Sequence, residues 1–136
     1  MIGNHQEEIL SIESQVKMGK ALSAMPKITY SSKHEPTTWS NSSIVEAINP
    51  CKISRKKQDD SKDLLTIGSP GLVAALTKLN LVDDYYFSIQ PVIAGSGSVR
   101  LVGKISMDAR QPLKFVAAKQ LKSGVMILHY KNKKAV

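Results

Sequence analysis

The feature that most constrains the fold is the segment 63–80, where a short apolar run leads into a turn and then into a helical pattern. Residues 63–67 read Asp-Leu-Leu-Thr-Ile, and such a run bounded by turn residues is typical of a buried strand. Gly68 suits a tight turn, Ser69 can cap a helix, and Pro70 suits the first helical position. We therefore predict a strand, a turn and a helix in direct succession.

The helix after this turn is predicted from its apolar spacing. One helical face carries Leu72 together with the apolar residues one, four and seven positions after it, which are Val73, Leu76 and Leu79. Asn80 follows, and we expect it to close the helix in a left-handed conformation.

Patterns before this segment predict two helices and two short strands. They are a helix over 4–22 capped by Asn4 with Ile9, Ile12 and Val16 on one face, a strand over 27–31, a loop over 32–43 with Trp39 anchored on the core, a strand over 43–45, and a helix from Asn49-Pro50 to about Gln58.

Patterns after the segment are dominated by strands. They predict a strand over 85–94 in which Pro91 marks an edge or a bulge, a flexible turn over 95–98, and a hairpin of strands 113–121 and 125–130 joined at Lys122-Ser123-Gly124. Alternating strands and helices followed by a hairpin indicate an α/β fold, with a parallel sheet finished by antiparallel strands.

Length and composition fit one globular domain. The chain has 136 residues, 42% of them hydrophobic, which suffices for one packed core and not for two ordinary domains. No apolar run approaches the roughly 20 residues that cross a bilayer, and the polar amino terminus is unlike a signal peptide. Cys51 has no cysteine partner, so we expect a reducing, cytoplasmic location and an ordinary structural role for this residue.

The net charge of +8 leaves three partner classes open: nucleic acid, an anionic membrane surface, or a phosphorylated ligand. The densest basic group is Lys52, Arg55, Lys56 and Lys57. The few aromatic residues are not interleaved with basic ones along the chain, which argues against nucleic acid. The sequence also contains no transmembrane pattern, and we expect no membrane partner.

The turn at Gly68 and Ser69 has two readings. The first N–H groups of a helix lack internal partners and the helix dipole favours negative charge, so a phosphate could bind there. Gly68 would allow close approach because it has no Cβ. The other reading is a tight turn with a helix cap and no ligand, and the residues alone leave both open.

Four blocks of the sequence, in order, add to this reading: "MPKITYSSKHEPTTWSN", "DLLTIGSPGLVAAL", "LVDDYYFSIQPVIAGSG" and "LKFVAAKQLKSGVMILHY". Over residues 25–130 they resemble the RibD carboxyl-terminal family of dihydrofolate-reductase-like proteins. The resemblance implies one domain over 1–136 with a three-layer α/β fold, a central mixed sheet, a carboxyl-terminal antiparallel hairpin, and NADPH across the carboxyl ends of the strands.

The resemblance also implies where the cofactor binds. The diphosphate of NADPH would meet the turn and its neighbours, which are Ile67, Gly68, Ser69 and Leu72. The adenosine 2′-phosphate would lie beside Ser31, Ser32 and Lys33, and a cation with two hydroxyls after a strand suits a phosphate. No catalytic residue and no metal ligand is assigned, and His5, His34 and His129 lack metal-ligand spacing.

The sequence departs from the family pattern in three places. The family's opening strand with its Asp-Gly segment and the next strand-helix pair have no counterpart, so the chain is a fragment, has a start placed too far downstream, or is a shortened relative. Missing strands would expose apolar surface and favour a homodimer. Ile67 stands where riboflavin-pathway members usually have a carboxylate, and Lys33-His34 replaces Arg-Thr.

Three functions are therefore weighed. The first is an NADPH-dependent oxidoreductase acting on a pteridine- or pyrimidine-like acceptor, as in dihydrofolate reduction or riboflavin biosynthesis. The second is a non-catalytic nucleotide-binding or assembly module of the same fold. The third, a basic nucleic-acid-binding protein using residues 52–57, is the least favoured. The paired carboxylates Asp83 and Asp84 are expected in a solvated turn.

Overall fold

The computed structural model describes residues 3–33, 37–59, 63–95 and 110–133, with side chains from residue 13 onward except that of Asp59. The elements in chain order are α1 (Gly3–Ala24), β1 (Lys27–Tyr30), β2 (Ser42–Val45), α2 (Pro50–Asp59), α3 (Pro70–Lys78), β3 (Asp84–Ile89), β4 (Leu113–Gln120) and β5 (Met126–Asn132). The chain divides into two compact units, Met1–Asn49 and Pro50–Val136.

The first unit begins with α1, which confirms the predicted helix and corrects its cap. The helix begins at Gly3, so Asn4 lies inside the first turn and not at the cap position. Val16 is exposed, so the predicted apolar face is not buried at this residue; Ile9 and Ile12 have side chains outside the described residues. The helix ends at Ala24, where the Lys27 ammonium donates to the carbonyls of Leu22 (2.9 Å) and Ser23 (3.0 Å).

The two strands of the first unit pair in parallel. Their register runs from Lys27 opposite Ser42 to Tyr30 opposite Val45, which confirms both predicted strands. The prediction for Trp39 is wrong, because 60% of this residue is exposed and its ring meets only the Lys27 ammonium, 5.4 Å from the ring centroid, among the ring and cation contacts described. The prediction that Trp39 is buried rested only on the size of its side chain, since the loop around it is polar.

The second unit begins with α2, which starts at Pro50 as predicted and ends one residue after the predicted end. Cys51 is exposed in its first turn. Near its end, the Lys57 ammonium lies 2.5 Å from the Asp83 carboxylate and donates to the Leu81 carbonyl at 3.3 Å. These two contacts tie the last turn of α2 to the connection between α3 and β3.

The predicted buried strand over residues 63–67 is wrong. These residues form no strand and have no strand partner among the described residues, and Leu65 and Ile67 are 72% and 66% exposed. An apolar run shows that a segment suits burial, whereas a strand also needs a neighbour in hydrogen-bond register. The described pairings join β1 only to β2, and β5 only to β3 and β4.

Helix α3 confirms the predicted helix and its termination. Asn80 has φ +58°, its N–H donates to the Thr77 carbonyl (2.9 Å), and the Leu81 N–H donates to the Leu76 carbonyl (3.0 Å). This is the Schellman arrangement that satisfies the last carbonyls of a helix. The buried residues are Ala74 and Thr77, however, and the predicted apolar face is half-buried except for Leu79, which is exposed.

The sheet of the second unit has the order β3-β5-β4, with both neighbours of β5 antiparallel to it. The predicted hairpin is confirmed, and Gly124 in its turn has φ +85°. The predicted strand 85–94 is too long, since β3 ends at Ile89, before Pro91, which lacks an N–H for a ladder. Of the predicted turn 95–98, only Gly95 lies within the described residues.

The core of the second unit lies between α3 and one face of this sheet. Thr77 of α3 and Tyr85 of β3 are both buried, and their hydroxyls are 3.0 Å apart. The buried Asn132 amide of β5 donates to the Asn80 side-chain oxygen (2.9 Å) and to the Val82 carbonyl (3.0 Å). Helix and sheet are thus joined by hydrogen bonds between buried polar groups.

The predicted α/β class is confirmed, with parallel and antiparallel pairing both present. In the described residues these pairings belong to two sheets, β1-β2 and β3-β5-β4. None of the described helices is long and apolar enough to cross a membrane.

We predict that the buried hydroxyl pair stabilises the second unit. Thr77→Val should lower the free energy of unfolding by about 1–3 kcal/mol, because the Tyr85 hydroxyl stays buried without its partner. Tyr85→Phe should cost less, since a helical threonine can turn its hydroxyl to a carbonyl of the preceding turn. The measurement is urea unfolding of both single variants and the double variant, which should lose less than the sum of the two. Strict additivity would contradict the coupling, and the exposed Tyr86→Phe is the control.

Candidate nucleotide-binding site

The turn before α3 contains two consecutive residues in the left-handed region. Gly68 has φ +65°, and Ser69 has φ +50° and ψ +70°. A non-glycine residue here is uncommon and costs conformational energy. A Cβ on Gly68 would meet no atom within 4 Å, so the glycine is required by its backbone angle and not by crowding. The space beside this backbone is open.

Ser69 occupies the cap position of α3 without capping it through its side chain. Its carbonyl accepts the first helical hydrogen bond, from the Val73 N–H at 3.0 Å, but its hydroxyl makes no capping bond. The predicted side-chain cap is therefore wrong. A capping side chain normally extends from a β-region backbone, and the left-handed angles of Ser69 aim its hydroxyl elsewhere.

This geometry presents an open helix end. The N–H groups of Gly71 and Leu72 precede the first helical hydrogen bond, and Pro70 has no N–H. Leu72 is half-buried, whereas Ser69 and Ile67 are exposed beside the turn. Backbone N–H groups and the positive end of the helix dipole favour an anion at such a place.

The second predicted segment, Ser31 to Lys33, follows β1 in the first unit. The Ser31 N–H donates to the Val45 carbonyl at 3.0 Å and extends the parallel pairing by one residue. The Ser31 hydroxyl oxygen accepts the Lys33 N–H at 3.1 Å and lies 3.3 Å from the Lys33 carbonyl. The chain therefore turns back on itself directly after the strand, in the manner of a serine turn.

This turn leaves two polar groups exposed. Ser32 and Lys33 are both exposed, while Ser31 is half-buried and engaged in the turn. His34, which follows in the sequence, lies outside the described residues. The segment thus offers an ammonium and a hydroxyl to solvent, and it belongs to the first unit, whereas the turn at Gly68 belongs to the second.

One polar group was missed by the sequence analysis. Asp84 is the first residue of β3 and not part of a turn, and its carboxylate oxygen lies 2.6 Å from the His129 Nε2 of β5. The Tyr86 ring stacks on the His129 ring, with centroids 4.2 Å apart. These residues are far apart in sequence, so no local motif could have indicated the group.

Comparison with known proteins gives a family match over most of the chain. The family model for the RibD C-terminal domain matches residues 16–127. This range contains both segments of the candidate site, and it agrees with the order of sequence blocks described above.

Two similar proteins are matched over part of their lengths. The chain is 31% identical over 90 residues to the protein YyaP of Bacillus subtilis, a match that covers 66% of this chain and 44% of YyaP. A pyrimidine reductase-like protein of Corynebacterium diphtheriae has a TM-score of 0.56 at 21% identity, covering 79% of this chain and 49% of that one. The chain therefore spans about half the length of these relatives.

A second solved structure supports the fold. A Shewanella sp. PV-4 protein named for riboflavin biosynthesis has a TM-score of 0.67 at 14% identity, covering 89% of this chain and 71% of that protein. At such identities the likeness to the two solved structures concerns the fold alone.

We predict opposite effects of alanine at two glycines. Gly68→Ala should lower the free energy of unfolding by about 1 kcal/mol, because alanine is strained at a positive φ. Gly19→Ala, in the interior of α1 with open space around it, should raise this free energy by about 0.5–1 kcal/mol. Ser69→Ala should change it by less than about 0.5 kcal/mol, since the hydroxyl does not cap the helix. Denaturant unfolding measures all three, and a large loss in Ser69→Ala would contradict the uncapped helix end.

Proposed function

Because the chain belongs to the RibD C-terminal domain family, we propose that it is an NADPH-dependent reductase acting on a pteridine- or pyrimidine-like acceptor. The observation that carries the proposal is the left-handed turn at Gly68 and Ser69 in front of the uncapped amino-terminal end of α3. We assign this turn, with Ile67 and Leu72 beside it, to the diphosphate of the cofactor.

The turn suits a diphosphate for three reasons. The N–H groups of Gly71 and Leu72 point out of the helix end, the helix dipole adds partial positive charge, and no side chain projects from Gly68. The hydroxyl of Ser69 is not used by the helix, so it can donate to a phosphate oxygen. No acidic residue lies in the first turn of α3 to repel an anion.

We assign Ser31, Ser32 and Lys33 to the 2′-phosphate that distinguishes NADPH from NADH. Lys33 supplies an exposed ammonium, which acts as a point charge without the two-pronged fit of an arginine. The serine turn fixes the backbone that carries it. This arrangement supports discrimination of NADPH from NADH by the charge of the 2′-phosphate more than by its shape.

The division of chemical work follows from these assignments. Bound NADPH would supply the hydride, and the residues of this chain bind and orient the cofactor at its phosphate groups. The acceptor is proposed by class only, and no catalytic residue is assigned among the described residues.

We also propose that the chain forms one such domain, located in the cytoplasm, and assembles as a homodimer. The exposed Leu64 and Leu65 support the homodimer, because burial of these apolar side chains against a second copy would remove them from water. The lone cysteine supports the location. Sedimentation over a range of protein concentrations tests the oligomeric state, and a monomer throughout would exclude the dimer.

A second candidate function is a nucleotide-binding or assembly module without catalysis. The specific observation in its favour is that the chain spans 44% of YyaP and 49% of the corynebacterial protein. Such a module would bind NADPH at the same turn but would not oxidise it in the presence of any pteridine or pyrimidine acceptor. Cofactor binding with and without turnover separates the two candidates.

We predict that NADPH binding depends on the turn. Gly68→Val and Ser69→Glu should each weaken NADPH binding at least about tenfold, by strain and by charge repulsion respectively. Isothermal calorimetry measures the affinity, and circular dichroism checks that each variant is folded. Ser123→Glu adds the same charge in the exposed hairpin turn and serves as the matched control. Equal affinity of Ser69→Glu and Ser123→Glu, or no binding of NADPH at millimolar concentration, would exclude the proposed site.

We predict that Lys33 distinguishes the two nicotinamide cofactors. Lys33→Ala should weaken NADPH binding about tenfold and leave NADH binding unchanged, because only NADPH carries the 2′-phosphate. The matched control is Lys20→Ala, an exposed lysine of α1. A parallel loss of both cofactors would mean that Lys33 does not read the 2′-phosphate.

A further inference from the structure

We propose that one face of the β3-β5-β4 sheet binds single-stranded nucleic acid, with Tyr86 stacking on a base and three lysines contacting the backbone phosphates. This surface, here called the lysine face, is the side of the sheet opposite α3. By the register of the strands it consists of Asp84, Tyr86 and Ser88 of β3, Ile127, His129 and Lys131 of β5, and Lys114, Ala117 and Lys119 of β4.

The two faces of the sheet are distinguished by their contacts. Tyr85 of β3 reaches Thr77 of α3, and Asn132 of β5 reaches Asn80 at the end of the same helix. Their neighbours along the strands, Tyr86 and Lys131, therefore point to the other side. Both of these residues are exposed, as are all the β3 and β4 residues of the lysine face.

An irregularity in β4 gathers the lysines on this face. Lys114 and Lys119 are five positions apart, so in a regular strand they would point to opposite sides of the sheet. The register shifts between Phe115 and Ala117, which leaves Val116 as an extra residue. Beyond this bulge the alternation is reversed, and Lys119 comes to the same face as Lys114 and Lys131.

Tyr86 is held in a position suited to stacking. Its ring stacks on the His129 ring at 4.2 Å with an interplanar angle of 11°, and His129 is fixed by the Asp84 carboxylate at 2.6 Å. The tyrosine is nevertheless 64% exposed and stands on an outer strand of the three-stranded sheet. A base can therefore stack on the free side of a ring whose orientation is already set, which lowers the entropic cost of binding.

Charge selects the occupant of this face. The three lysines face one carboxylate, Asp84, which is engaged with His129, so the face presents net positive charge. A polyanion is therefore favoured over a second copy, whose identical face would bring like charges together. A membrane is disfavoured because, among the described residues that the register pairs across this face, Ile127 is the only aliphatic side chain larger than alanine. An exposed aromatic ring among cations is the combination that binds single strands.

Aromatic and basic residues are not interleaved along the chain, and on that ground the sequence predicts no nucleic-acid partner. The register interleaves them across the strands instead, because Tyr86 lies opposite His129, one step along the same face from the pair formed by Lys131 and Lys114. The lysine face is also separate in sequence from the basic residues 52–57.

The test is fluorescence anisotropy of a labelled oligothymidine of about 12 nucleotides with the full chain. Tyr86→Ala should weaken oligonucleotide binding by roughly 5- to 150-fold, which is the range expected when one base loses its stacking contact with an aromatic ring. Tyr86→Phe should retain the affinity. A plot of the logarithm of the association constant against the logarithm of the salt concentration should have a slope of about −2, because each of three phosphate contacts contributes about −0.7. Lys131→Gln should reduce this slope by about 0.7.

Matched controls lie on other surfaces of the chain. Trp39→Ala removes another exposed aromatic ring and Lys17→Gln another exposed lysine, and neither should change oligonucleotide affinity by more than about twofold. Tyr86→Ala should still bind NADPH, and excess NADPH should not displace the oligonucleotide, so the result is separable from the proposed cofactor site.

Outcomes of three kinds would overturn the proposal. The first is no oligonucleotide binding at about 0.1 mM protein in low salt, the weak end of non-specific affinities. The second is binding that Tyr86→Ala leaves unchanged, or inorganic polyphosphate bound as tightly as the oligonucleotide, either of which would mean attraction to any anion. The third is a preference for phosphatidylserine vesicles over the oligonucleotide.

Discussion

The arrangement of the second unit depends on the pairing of β5 with two strands at once. β5 lies between β3 and β4 in the sheet, although it is the last of the three in the chain. Its buried Asn132 also reaches across to Asn80, the residue that ends α3. The sheet and the carboxyl-terminal end of α3 are therefore positioned by contacts of the last strand. These contacts join residues that are far apart in the sequence, and such contacts form more slowly than local ones.

Much of the fold could be predicted where the signal is local. The start of α2 at Pro50, the left-handed Asn80 and the hairpin turn at Gly124 each follow from the backbone preferences of one or two residues. Predictions that required knowledge of neighbours were less successful. The apolar run 63–67 has strand composition but no described strand partner, and Trp39 has the size of a core residue but lies exposed. Composition indicates what a segment could bury, and only the tertiary structure decides what it does bury.

The backbone of the turn before α3 could be predicted only in part. Gly68 was expected in a turn, and its φ of +65° bears this out, whereas Ser69 shares the left-handed conformation and does not cap α3. A serine before a helix is ordinarily a cap, and nothing local indicates that its backbone will depart from the usual angles. The group of Asp84, Tyr86 and His129 could not be predicted at all, because it is created by the register of β3 and β5. Which side chains meet across a sheet is decided by pairing and by irregularities such as the bulge at Val116.

The exposed run 63–67 has a consequence for the behaviour of the protein in solution. Short apolar segments that are extended and exposed are the ones that stack into intermolecular β-structure. The sequence limits this hazard at both ends, with Lys62 and Asp63 before the leucines and Gly68 and Pro70 after Ile67. Charged and proline residues in such flanking positions act as gatekeepers against aggregation. Pro70, which begins α3, therefore also lies where a proline disfavours extension of an apolar segment into intermolecular β-structure.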